Sequence, residues 1–186
     1  MLRVLTLACL FMLSWLGLAY PSPSLYQVDM IVFTHLQTPA SVVDRSSGPL
    51  IAPNTRHAIQ LANEVSSAMT PYHALPASLS HLRDEYWALN RKPQYQILFR
   101  YTWLQPSNNQ QAIALSEVNS GGWNVEGTLS IRQSNYYLLD TALLFSAPNS
   151  TQTSFIFSQK QRLKPGVVYY LDHPQAGMLI KIHQIT

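Results

Sequence analysis

Asp172 and His173 stand side by side between two apolar runs, 167–171 and 178–182, and are the pair in this sequence best placed for acid–base chemistry. A carboxylate that orients an imidazole makes a general base. Neighbouring residues on a strand point to opposite faces, however, so a direct Asp172–His173 bond is awkward there. The residues that follow favour a simpler role. His173 is pushed to extended conformations by Pro174, which cannot continue a ladder, and Gly177 tolerates positive φ. Asp172 can accept backbone N–H groups across such a bend. The segment reads as a turn joining two strands, with catalysis by Asp172 and His173 as the weaker alternative.

Other chemistry is thinner. His35, His57, His73, His81, His173 and His183 occur singly, without the i, i+4 spacing or acidic neighbour of a zinc helix, so no metal is expected. Neither Gly-x-Ser-x-Gly nor Ser-x-x-Lys is present. Asp29, Asp84 and Glu85 supply carboxylates, but the Asp84-Glu85 pair is better explained as favouring the start of a helix. The aromatic residues are more informative. Trp87, Trp103, Trp123 and a set of tyrosines exceed what a small core buries, and exposed rings on a sheet suit sugar faces or a protein partner. Trp123, beside Gly121-Gly122, is the ring expected to be exposed. Arg100 and Arg132 fall within strands, where they either face solvent or meet carboxylates of a ligand.

The elements that hold these residues can be read from periodicity. The stretch 25–33, LYQVDMIVF, is a strand with apolar residues on both faces. A long loop follows over 37–56. Residues 54–68 open on Asn54 and carry Ile59, Leu61 and Val65 at helical spacing. Leu82, Tyr86 and Leu89 form one face of a second helix, stopped by Pro93. In QYQILFRYTW, residues 94–103, Tyr95, Ile97, Phe99, Tyr101 and Trp103 alternate on one side. Strand, helical material and strand predict an N-terminal β-α-β unit with parallel pairing. Beyond Pro106 everything reads as short strands and turns. The expected class is α+β: a largely antiparallel β-sheet meander with helices on one face.

The N-terminus sets the compartment. Residues 1–19 pair Arg3 with an apolar run of signal-peptide length, and Gly17-Leu18-Ala19 offers small residues before cleavage ahead of Tyr20. The run is short for a membrane span, so none is expected after cleavage. Cleavage would also remove Cys9, the only cysteine, leaving no disulfide or thiolate chemistry. Residues 20–186 then form one globular domain by length. With 12 basic and 9 acidic residues and no basic run, the charge pattern does not fit nucleic acid.

Four blocks in order, YQVDMIVF, YQILFRYTWLQP, GTLSIRQSNYYLLDTALLF and QRLKPGVVYYLDHPQAGMLIKI, resemble the CsiV-type family of periplasmic peptidoglycan-binding proteins of Gram-negative bacteria. The resemblance spans both ends and the middle of residues 20–186 and is weakest over 37–78. It implies a non-enzymatic accessory factor of cell-wall synthesis. Such a factor binds peptidoglycan and works with an outer-membrane lipoprotein activator of a penicillin-binding protein. It implies no cofactor and transfers no ligand residues. On the residues themselves, Trp123, Arg100, Arg132, Asp172 and His173 are the candidate ligand contacts. A protein-interaction adaptor without wall affinity and, further off, a wall hydrolase using Asp172 and His173 stay open as alternatives.

Overall fold

The computed structural model describes residues 24–36, 50–63, 70–147 and 154–185; the leader expected over 1–19 and most of the loop expected over 37–56 lie outside them. Among the described residues nine strands form two sheets. The first has β1 (Leu25–His35), β3 (Tyr95–Pro106), β8 (Val168–His173) and β9 (Ala176–Gln184) in the order β3-β1-β9-β8, every pair antiparallel. The second has β2 (Ile59–Gln60), β4 (Ile113–Ser120), β5 (Trp123–Gln133), β6 (Tyr137–Ser146) and β7 (Phe155–Leu163) in the order β2-β4-β5-β6-β7. Its pairs are antiparallel except β2 with β4, which is parallel.

Alternation decides how the sheets meet. In β5, Val125, Leu129 and Ile131 are buried, while Glu126, Thr128, Ser130 and Arg132 turn outward. In β6, Tyr137, Leu139, Leu143 and Phe145 point the same way as the buried set of β5. They pack against Tyr26, Val28, Met30 and Val32 of β1 and Met178, Ile180 and Ile182 of β9. Period-two sequence thus becomes a sandwich with one apolar core between the sheets. Gly127 is required where β5 and β6 press closest: a Cβ there would sit 2.2 Å from the Ala142 carbonyl oxygen.

The far face of the first sheet is covered by a helix, α1 (Arg83–Asn90). Ser80 Oγ accepts the Leu82 N–H at 3.2 Å, Asp84 and Glu85 stand in the first turn, and Pro93 follows the last. Leu82, Tyr86 and Leu89 pack on Ile31 and Phe33, the face that helical spacing predicts. Burying Leu82 fully contributes roughly 2 kcal/mol. Asp29 ties the approach to this helix onto the sheet. Its buried carboxylate accepts from Thr102 Oγ1 (2.8 Å), the His81 N–H (3.2 Å) and Gln27 Nε2 (3.1 Å), so this acid is structural.

Three expectations are corrected. β1 and β3 run antiparallel, so the strand–helix–strand order is not a parallel β-α-β unit. The chain between them does not cross over as a single helix: Tyr72 N–H donates to the Leu104 carbonyl and Leu75 N–H to that of Thr102, laying 72–75 along the edge of β3. Second, the described part of 54–68 is not helical. Asn54 Oδ1 caps the Arg56 N–H, a turn closes from Ala58 to Thr55, and Ile59 then pairs in β2. Third, the alternating aromatics of β3 do not share one face. A bulge opposite Val32/Phe33 absorbs Leu98, so Tyr95 and Ile97 face the helix while Phe99, Tyr101 and Trp103 face the sandwich core.

Candidate functional site

The β8–β9 hairpin carries Asp172 and His173 as its last strand residues, with Pro174 and Gln175 at the turn. Alternation sends the two side chains to opposite sides of the sheet. His173 turns inward: its ring stacks on Phe155 with centroids 4.5 Å apart and planes within 8°, and its Nδ1 accepts the Gln175 N–H at 3.2 Å. It joins a column of rings through Phe155 to Phe145 and Trp123 at one end of the sandwich. Asp172 turns outward, where its Oδ1 accepts the Tyr170 hydroxyl at 2.5 Å. The strand therefore separates the would-be acid–base pair and gives each member a different partner.

Tyr170 is the outward residue that sequence reasoning did not single out. Its ring lies nearly parallel to Phe33, within 13° at 6.1 Å, across the strand that carries Gly177. Gly177 makes this possible: a Cβ there would meet Phe33 Cζ at 2.5 Å and Tyr170 Cε2 at 2.8 Å. Phe33 in turn meets Tyr95 edge-on at 5.2 Å. Tyr170 nevertheless stays 51% exposed. Burial of its apolar part, then the hydrogen bond and charge of Asp172, hold the hydroxyl well above the usual tyrosine range, so it remains a neutral donor. The result is a half-exposed ring fixed at both its face and its hydroxyl, with a carboxylate alongside. The Tyr169-Tyr170 doublet requires one ring to face outward, but which of the two it is follows only from the strand pairing that sets Tyr170 beside Gly177.

Trp123 is not exposed. Gly121 and Gly122, with φ of 59° and 79°, form the tight turn, and Trp123 is the first inward residue of β5. It is 6% exposed, edge-on to Phe145 and Phe155. Among the described residues the exposed tryptophan is Trp87 on α1, set edge-on against Tyr86 at 5.3 Å.

The two arginines lie apart from each other and from Tyr170. Arg100, on the helix-covered face, holds its guanidinium 4.3 Å from the centre of the Tyr86 ring. It lines a cleft of about 300 Å³ with Asn63, Tyr101, Thr102 and Ser116. Arg132 lies on the opposite side of the molecule, on the outer face of the second sheet, and lines a depression of about 260 Å³ with Arg162. Trp123, Arg100, Arg132 and the Asp172-His173 pair thus do not converge on one site. No group of three or more potential metal ligands occurs among the described residues, and none of their helices is long and apolar enough to cross a membrane.

Searches of curated proteins and of solved structures gave no match. A comparison with protein families matches residues 2–185 to the family described as "Peptidoglycan-binding protein, CsiV". The match spans nearly the whole chain and includes the hairpin that presents Tyr170 and Asp172; the chain belongs to the CsiV family of peptidoglycan-binding proteins.

Proposed function

We propose that the protein is a non-enzymatic peptidoglycan-binding module of the periplasm, and that the outer face of the β8–β9 hairpin takes the glycan. The observation that carries this reading is Tyr170 itself: an exposed ring held against Phe33 by the absence of a side chain at Gly177, its hydroxyl locked to Asp172. A pyranose presents an apolar face of C–H groups and a rim of hydroxyls. The first stacks on a ring that loses no further freedom on binding, and the second donates to a carboxylate beside it. Membership of the family supplies the polymer, and the ring supplies a mode of holding it.

The leader-like residues 1–19 and the family support a periplasmic location. A role in cell-wall synthesis beside an outer-membrane lipoprotein activator of a penicillin-binding protein rests on the family resemblance. The structural employment of His173 favours binding over hydrolysis, since its ring and Nδ1 are committed to Phe155 and Gln175.

Co-sedimentation of residues 20–186 with purified sacculi tests the reading. Tyr170→Ala should weaken binding by about tenfold or more, the usual cost of truncating an aromatic anchor. Tyr170→Phe, which keeps the ring and loses the tie to Asp172, should fall between, and Trp87→Ala should bind within about twofold of the parent. Undiminished binding by a folded Tyr170→Ala protein would remove the hairpin from the site. Release of soluble wall fragments would make the protein a hydrolase.

A further inference from the structure

The outer face of the second sheet carries a feature that glycan stacking leaves unused. Arg132 of β5 and Arg162 of β7 both pair with Leu138 of β6, so they flank one apolar residue on a single face. One step along the same strands, Asp140 pairs with Lys160. Those two neutralise each other in an ion pair of 2.9 Å, leaving both arginines uncompensated there. The Arg162 guanidinium rests 4.7 Å from the centre of the Tyr136 ring, an interaction that steadies the cation without cancelling its charge. Arg132 makes no ion pair among the described residues. Between them lies the depression of about 260 Å³, lined also by Gln161.

We infer that this depression is a second ligand site, which takes the free carboxylates of peptidoglycan stem peptides between Arg132 and Arg162. The proposal rests on the wall-binding reading. Guanidinium forks match carboxylates with paired N–H donors, and two of them on either side of Leu138 can receive an acidic side chain or terminus while its methylene groups cover the leucine. Asp140 repels an anion, and its engagement by Lys160 is what keeps the site open to one. Tyr170 and this depression lie on the outward faces of opposite sheets, so glycan and stem peptide are met on different sides of the molecule.

The experiment is a titration of the mature protein with a soluble stem peptide bearing free carboxylates, and with the same peptide fully amidated, followed by calorimetry. The free peptide should bind, with affinity falling as salt rises. Amidation, Arg132→Gln and Arg162→Gln should each weaken binding about tenfold, the loss of one charge-assisted hydrogen-bonded pair. Tyr170→Ala should leave peptide binding unchanged. The arginines are exposed, so thermal melting of the variants should match the parent. Equal affinity for the amidated peptide, or for either glutamine variant, overturns the proposal. Equally tight binding of an acidic peptide unrelated to the wall overturns its assignment to stem peptides. Loss of sacculus binding in Tyr170→Ala with the arginine variants unaffected would leave the glycan reading standing and this one refuted.

Discussion

Asp172 and His173 adjoin in sequence and part company in space, because a strand places consecutive side chains on opposite faces. That much was legible from the sequence, as was the turn at Pro174 and Gln175; Gly177, expected to help form it through positive φ, instead lies in β9 opposite Asp172 and does not adopt positive φ. Trp123 was misjudged for a reason of the same kind. Glycines beside a tryptophan read as a loop that exposes it, but Gly121 and Gly122 close a two-residue turn and Trp123 already belongs to the inward register of β5. The distinction has a measurable consequence. Trp123→Ala should cost about 3–5 kcal/mol in chemical denaturation, the range for emptying a buried aromatic site. At temperatures where it stays folded, it should bind sacculi like the parent. A variant of normal stability that fails to bind would return Trp123 to the ligand surface. Tyr170 escaped notice because nothing in its own identity marks it. What marks it is Gly177 on the neighbouring strand, a relation that only pairing reveals.

The β8–β9 hairpin is the element on which the glycan reading depends, and Gly177 is its most exacting position. It is held against Phe33 of β1 on one side and the Tyr170 ring on the other, with no room for a methyl group. Gly177→Ala should therefore force the two rings apart, at a cost of roughly 1–3 kcal/mol from overpacking. It should also weaken sacculus binding while leaving affinity for a stem peptide intact. Thermal melting combined with both binding assays checks this, and wild-type sacculus affinity in the alanine variant would show that the placement of Tyr170 is unimportant. Elements were legible where one period ran undisturbed, as in β5, β6 and α1. β3 was half legible: its alternation was clear, but the bulge that moves Tyr95 and Ile97 to the helix side has no marker in the sequence. The parallel β-α-β expectation failed for want of long-range information. Whether two strands pair parallel or antiparallel depends on the path between them, and here residues 72–75 run along β3 by backbone hydrogen bonds that any sequence could make.

At the scale of the whole molecule, two sheets share one core, and tyrosines are built into it. Tyr26 is the clearest case. It is 1% exposed, lies edge-on to Tyr137 at 4.9 Å, and donates its hydroxyl to the Ile131 carbonyl at 3.2 Å across the two sheets. Burial first, then the phenols of Tyr137 and Tyr72, push its ionisation far above the ordinary tyrosine value, outweighing the hydrogen bond with Gln105. Tyr72, Tyr101 and Tyr170 are raised as well, each chiefly by burial. A raised value means that the fold favours the neutral phenol. Below the unfolded value of about 10, both states keep the proton and this contribution to stability is fully present. Above it the unfolded chain loses protons that the folded protein retains, so stability falls as pH rises. The fall should approach about 1.4 kcal/mol per pH unit for Tyr26, and less for Tyr170, whose exposure lets solvent screen it. Denaturant unfolding measured from pH 8 to 11.5 should thus be flat to about pH 10 and then decline. Tyr26→Phe should make the decline shallower at a modest cost near neutrality of about 1 kcal/mol. That cost stays small because Gln105 Nε2 still donates to the Ile131 carbonyl at 3.0 Å. A Tyr26→Phe protein that keeps the parental alkaline slope would show that the phenol held between the sheets does not set the upper pH limit of the sandwich.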